Sequence, residues 1–134
     1  MDDSKKAPAP SNDFSVDGRI AYFRPRGSAT LVDAVDRIAQ AISACREQGI
    51  PALFVDPTGL RGMSIPTLVD RFLAIEEWAQ RSQNMVTVAL VLSDQYRHPQ
   101  KFGVKVARDF GLAMDVFSSE AEAMRWLAPR AGES

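Results

Sequence analysis

The stretch from Pro51 to Ala79, PALFVDPTGLRGMSIPTLVDRFLAIEEWA, constrains the fold of this chain more than any other. It opens on a continuous apolar run, Ala52 to Val55, crosses turn residues and continues with helical periodicity. This predicts a buried strand, a tight turn and a helix over about Ile65 to Arg81, with Ser64 as its N-cap. A second apolar run, Met85 to Leu92, follows. Strands apolar on both faces belong at the centre of a sheet covered by helices. The helix between the two runs is then a crossover, which makes the two strands parallel.

The remaining segments extend this pattern. Residues 1–13 are rich in Pro, Ala, Ser and charge and read as a disordered tail. Phe14 to Val16, the Asp17-Gly18 turn and Arg19 to Phe23 read as a hairpin, after which Gly27 to Ala29 turns the chain. From Thr30 the period changes: Leu31, Val35, Ile38, Ile42 and Cys45 form a helical stripe, Thr30 and Asp33 resemble a capping box, and Gly49 with Pro51 ends the helix. Pro99 to Phe110 reads as a helix with Phe102, Val106 and Phe110 on one face and Gly111 as its C-cap, and Leu112 to Phe117 as a strand. Ser119 and Glu122 cap a last helix ending near Leu127, and residues 129–134 are expected to fray as a C-terminal tail. The resulting order, β-β-α-β-α-β-α-β-α, predicts an α/β domain over residues 14–128 with a mainly parallel or mixed central sheet and about four helices.

Composition narrows the function classes. A chain of 134 residues, 46% hydrophobic, is about one domain and can bury a core without disulfides or metals. Sixteen basic against seventeen acidic residues leave a net charge of −1, a poor footprint for nucleic acid. No apolar run approaches the roughly 18 residues that span a bilayer, and the start MDDSKKAPAPSND has no apolar core of a secretory signal. A cytoplasmic location is the default expectation. The single cysteine, Cys45, excludes an intrachain disulfide and a cysteine-based zinc site, and it reads as a small buried hydrophobe on its helix stripe. One histidine with scattered acids gives no metal-ligand spacing, and no cofactor motif is present.

The element order over about Gly18 to Leu127 resembles the STAS (SpoIIAA-like) fold, in which a strand and a short linker lead into a helix that starts on a D-S-[ST]-G-L motif. Ala52 to Asp56 takes the strand, Gly59-Leu60-Arg61-Gly62 the linker, and Met63-Ser64-Ile65-Pro66-Thr67-Leu68 the place of the motif. Ser64 stands for the motif aspartate, Ile65 for the phosphorylatable serine, Pro66 for the next hydroxyl residue and Thr67 for the glycine; Leu68 alone is kept. The Gly27 turn, Val55-Asp56, Pro99 to Gly103 and the ending Val116 to Leu127 are similar to SpoIIAA-like (STAS/CRAL-TRIO-like) bacterial proteins. The resemblance implies a regulatory or partner-binding scaffold that lacks the usual phosphoacceptor, with a partner face on the helix after the motif and the loop before it.

Three clusters are candidate binding sites for a partner or ligand. Asp56, Thr58 and Arg61 follow the end of a central strand, the edge where open α/β sheets bind ligands; the same residues have ordinary turn chemistry. Ser93, Tyr96 and His98 lie in the loop after the other central strand and open on the same edge; a plain solvated loop is the alternative. Ser64 is a candidate phosphorylation site, because a helix start favours an anion, or else a simple N-cap, with Thr67 and Thr58 as substitute hydroxyls. On the helix itself, Ile65, Leu68, Val69, Phe72, Leu73 and Ile75 form a broad apolar arc. At about 100° per residue Trp78 falls outside it, which makes Val69 and Trp78 candidate interface residues. Arg24 and Arg26 flank Pro25 and either meet an anionic group or sit on a solvated edge.

No catalytic residues are assigned, since the chain has no G-x-S-x-G, phosphate loop or H-E-x-x-H. The leading expectation is a non-enzymatic regulatory or protein-interaction module, with a protein partner or a second copy of the chain as its target. The alternative is a domain that binds a small apolar or anionic, lipid-like ligand in a cavity around Phe72, Phe102 and Phe110. The third reading is an enzyme built on the Asp94–His98 loop.

Overall fold

The computed structural model describes residues 13–98 and 100–132. The elements are β1 (Phe14–Asp17), β2 (Ile20–Phe23), β3 (Arg26–Ser28), α1 (Leu31–Gln48), β4 (Ala52–Val55), β5 (Gly59–Arg61), α2 (Leu68–Ser82), β6 (Thr87–Val91), α3 (Phe102–Asp109), β7 (Met114–Phe117) and α4 (Glu120–Arg130), with a 3₁₀ turn at Asp94–Tyr96. Five strands form one mixed sheet in the order β1-β2-β4-β6-β7. The β1–β2 pair is antiparallel, and β2–β4, β4–β6 and β6–β7 are parallel. The α/β class, the mixed sheet and the four helices agree with the sequence reading. The expected tail over residues 1–13 lies, apart from Asp13, outside the described residues.

Strand alternation separates two cores. Ala21, Phe23, Leu53, Val55, Val88, Leu90 and Met114 face the layer of α1, α2 and α3, while Ile20, Ala52, Phe54, Ala89 and Val91 face α4. Three successive crossovers thus lie on one face, and among the described residues the last helix covers the other. All of β4 is buried, as its uninterrupted apolar run requires. The start of α4 is held by Arg24, whose guanidinium contacts Glu120 at 2.9 and 3.2 Å. That bond, against the cost of desolvation, keeps Arg24 above its ordinary pKa. The helix runs through Pro129 to Arg130, two residues into the stretch expected to fray. Proline is tolerated there because only a last-turn bond is lost, and Arg19 Nε donates to the Ala131 carbonyl.

Two short strands correct the expected order. β3 and β5 pair in parallel as a separate ribbon, Arg26–Gly59 to Ser28–Arg61, where the sequence suggested a turn and a linker. Three residues are too few to show a period of two. Ala29, Ala34 and Leu60 form a small core beneath the ribbon, with Met63 packed against it. The ribbon also needs Gly62: its φ is +101°, and a Cβ there would sit 3.3 Å from the Ala29 carbonyl oxygen.

The start of α2 is a further correction. Its N-cap is Thr67 and not Ser64: Thr67 Oγ1 accepts the Asp70 N–H at 3.0 Å and Asp70 Oδ2 accepts the Thr67 N–H at 2.9 Å. Pro66 disfavours helical geometry at Ile65, so the helix cannot begin where the apolar periodicity does. α3 likewise starts later than expected, at Phe102 after Lys101 in a left-handed conformation, and closes at Phe110; Pro99 lies outside the described residues.

Trp78 is also corrected. It is 5% exposed, and its Nε1 donates to the Val35 carbonyl of α1 at 3.0 Å. The buried face of α2 is Ala74, Ile75, Trp78 and Ser82, whereas Leu68, Val69 and Leu73 are more than half exposed. The apolar arc is wider than the face a helix can bury between two neighbours, and the large indole with a backbone partner takes the inner position. Trp78→Ala is therefore expected to cost about 3–5 kcal/mol of stability in urea unfolding, against under about 0.5 kcal/mol for Val69→Ala.

Cys45 is fully buried, as its place on the α1 stripe predicts, and desolvation pushes its thiol up to about 12. The thiolate is the reactive form, so a chromogenic disulfide reagent at neutral pH is expected to label Cys45 only after denaturation. Stoichiometric labelling of the native protein would contradict this burial.

Candidate functional site

A cleft of about 440 Å³ opens where the C-terminal ends of the parallel strands meet the first turns of the helices. This volume lies within the range of small-molecule sites. One wall is α1, through Leu31, Ala34, Val35 and Ile38, and the facing wall is α2, through Arg71, Ala74, Ile75 and Trp78. Leu90, Met114 and Val116 of the sheet form the floor, and Gly103 and Val104 of α3 close one end. Crossovers of parallel strands deliver their helices back over the same sheet edge, which is why these apolar side chains converge there.

Polar groups are confined to the rim. The loop after β6 lies against the loop before α2 through Tyr96 Oη, which donates to the Met63 carbonyl at 3.1 Å. Arg71 Nη1 donates to the Tyr96 carbonyl at 3.0 Å. Burial pulls the Arg71 guanidinium below its ordinary pKa. Arg97 pairs with Asp94, and Lys101 pairs with Asp115 at 2.8 Å. His98 Nδ1 accepts the Gln100 N–H at 3.1 Å, which leaves Nε2 to carry the proton of the neutral ring. The Asp94 carboxylate is thus engaged by Arg97, and no hydrogen bond joins it to His98.

Of the residues singled out from sequence, the cleft brings together Trp78, Tyr96 and His98. Thr58 and Ser93 line a smaller adjoining depression of about 110 Å³, which Tyr96 shares. Asp56 binds Thr58 in a local turn, accepting from its N–H at 3.0 Å and its hydroxyl at 2.6 Å. Arg61 is exposed on β5, Arg26 pairs with Asp13, and Ser64, Thr67 and Val69 are exposed and do not line the cleft, although Met63, Pro66 and Asp70 beside them do. The cavity expected around Phe72, Phe102 and Phe110 is corrected: those three do not line the cleft, and Phe72 and Phe110 meet at 5.5 Å between ring centres on the surface. Among the described residues no His, Cys, Asp or Glu cluster could hold a metal ion, and no helix is long and apolar enough to cross a membrane.

Sequence reasoning missed Arg71 and the small residues Ala34, Ala74 and Gly103 that leave the space open. Arg71 stands one turn of helix before Ile75 on the buried face, so the right rotation of α2 would have found it. No protein-family model matches the chain, and comparison with curated proteins and with solved structures gives no match.

The cap geometry separates the two hydroxyl residues before α2. Thr67→Ala is expected to lower stability by about 1 kcal/mol, whereas Ser64→Ala should leave the unfolding midpoint unchanged. Equal losses from both would contradict the assignment of Thr67 as cap.

Proposed function

We propose that this is a non-enzymatic domain that binds a small, mainly apolar molecule in the cleft between α1 and α2. The observation that carries this reading is an apolar cleft of about 440 Å³ at the carboxyl edge of a parallel sheet, with its polar groups gathered at the mouth. The walls are apolar side chains of three helices, and the floor belongs to the sheet core, so a bound molecule would exchange water for a dry surface. The reading develops the ligand-binding alternative from the sequence and moves its cavity away from the three phenylalanines.

Occupancy is testable because Trp78 lines the cleft. Titration with decanol is expected to change indole fluorescence saturably. Gly103→Leu is expected to abolish that change by filling one end. A Cβ at Gly103 would lie 3.9 Å from Ile75 side-chain atoms, an ordinary contact, so the variant should fold with unchanged or higher stability. A linear response in both proteins would defeat the reading.

A second reading rests on the outer face of α2. Val69 is 65% exposed, and Leu68, Leu73 and Phe72 lie beside it, with Ile65 preceding and Phe110 adjoining. A contiguous exposed apolar patch of this kind favours an interaction module. Its partner is taken to be a second copy of the chain, because an apolar strip on one helix can meet itself about a two-fold axis. Sedimentation of wild type against Val69→Asp checks it: concentration-dependent association lost in the variant supports the module, and a monomer in both rejects self-association.

A further inference from the structure

Charge accounting at the rim of the cleft leaves one group over. Arg97 and Lys101 each have a carboxylate, from Asp94 and Asp115. Asp70 also borders the cleft, but its Oδ2 accepts the Thr67 N–H and it serves as the reciprocal half of the α2 cap. Arg71 has no carboxylate within ion-pair distance among the described residues, and its guanidinium makes one hydrogen bond there, to the neutral Tyr96 carbonyl. A guanidinium carries five N–H donors in a planar fork. In Arg71 most of that fork is unspent at the border of an apolar cleft.

We infer that Arg71 receives the anionic group of the ligand, and that the ligand is an amphipathic monocarboxylate whose apolar part lies between α1 and α2. This rests on the ligand-binding reading above and adds the chemistry of the head group. A carboxylate matches the fork with two parallel N–H···O bonds and brings one negative charge to a rim that already carries the Asp70 carboxylate. A dianionic phosphate would bring two charges beside Asp70, where Arg97 and Lys101 are already paired. The partial burial of Arg71 supports the assignment: desolvation lowers its pKa, and an arriving anion would restore what the lost water supplied. The Tyr96 carbonyl bond holds the side chain in place beforehand, which limits the entropy lost on binding.

The test compares three probes of equal chain length, decanoate, decanol and decyltrimethylammonium, titrated below their micellar concentrations at low salt and read by calorimetry and, with Trp126→Phe to isolate Trp78, by indole fluorescence. Decanoate is expected to bind at least about tenfold more tightly than decanol, and decyltrimethylammonium more weakly than either. Arg71→Gln is expected to bring decanoate down to the affinity of decanol, with a change for decanol several-fold smaller than that for decanoate, and Arg71→Lys to recover part of the difference. Retained decanol binding shows that the variant is folded. If decanoate and decanol bind alike, or Arg71→Gln leaves decanoate unaffected, the carboxylate assignment is overturned while the cleft stands as a ligand site. If none of the three probes binds wild type, the cleft reading fails and the assignment fails with it.

Discussion

The indole of Trp78 is the contact on which the helical layer depends. It is nearly buried, and its one polar atom is satisfied by the Val35 carbonyl, so it joins α2 to α1 with directional as well as apolar contact. Fixing that side chain fixes the rotation of α2. Arg71, Ala74 and Ile75 then turn inward, while Leu68, Val69, Phe72 and Leu73 turn to solvent. The cleft and the exposed apolar strip are therefore two consequences of one packing decision. Rotating α2 to bury the strip would turn Trp78 outward, and the layer would lose both the buried surface of the indole and its bond to the Val35 carbonyl.

The cleft lies where small residues of neighbouring helices face one another over the sheet. Three crossovers on one face deliver α1, α2 and α3 side by side, and small residues occur where they would otherwise meet at their N-terminal ends: Ala34 on α1, Ala74 on α2 and Gly103 on α3. Farther along the helices the gap closes over Ile42, Cys45 and Trp78, all buried in the same core. The β3–β5 ribbon raises the remaining side. Leu60 packs under it with Ala34, and Met63, which follows it, reaches the cleft wall. The Tyr96 hydroxyl then ties that side to the loop after β6. The rim is thus braced by hydrogen bonds between loops, while the interior is held by apolar contact and by the bond from Trp78 to the Val35 carbonyl.

Much of the scaffold was legible because its signals are local and strong. β4 runs over Ala52–Val55 as its apolar run predicts, and α1 shows the expected capping box and a left-handed Gly49 at its end. The parts that escaped depend on tertiary context. The β3–β5 ribbon carries too few residues for a period, and Gly59 and Gly62 read as turn chemistry. The face of α2 was misjudged because periodicity counts apolar residues without weighing their size or their hydrogen-bond needs. Six apolar residues in one arc outvote one tryptophan in such a count, although the tryptophan decides the packing. Tyr96 and His98 were placed on the correct edge by topology alone. Arg71 was not, since an arginine inside an apolar helix face looks like a solvated neighbour until the helix is oriented.

The same local chemistry bears on how a phosphate near Ser64 would be received. A helix start attracts an anion through its unpaired N–H groups. At α2 the Thr67 hydroxyl and the Asp70 carboxylate already complete a reciprocal cap, and the carboxylate supplies the negative charge that the dipole favours. Ser64 lies three positions before that cap, on an exposed segment interrupted by Pro66. A phosphate there would meet the Asp70 charge and not a free helix end. The Arg71 guanidinium, one turn further along, lies at the cleft and binds the Tyr96 carbonyl there. The helix start is thus satisfied from within, while the Arg71 guanidinium borders the apolar space.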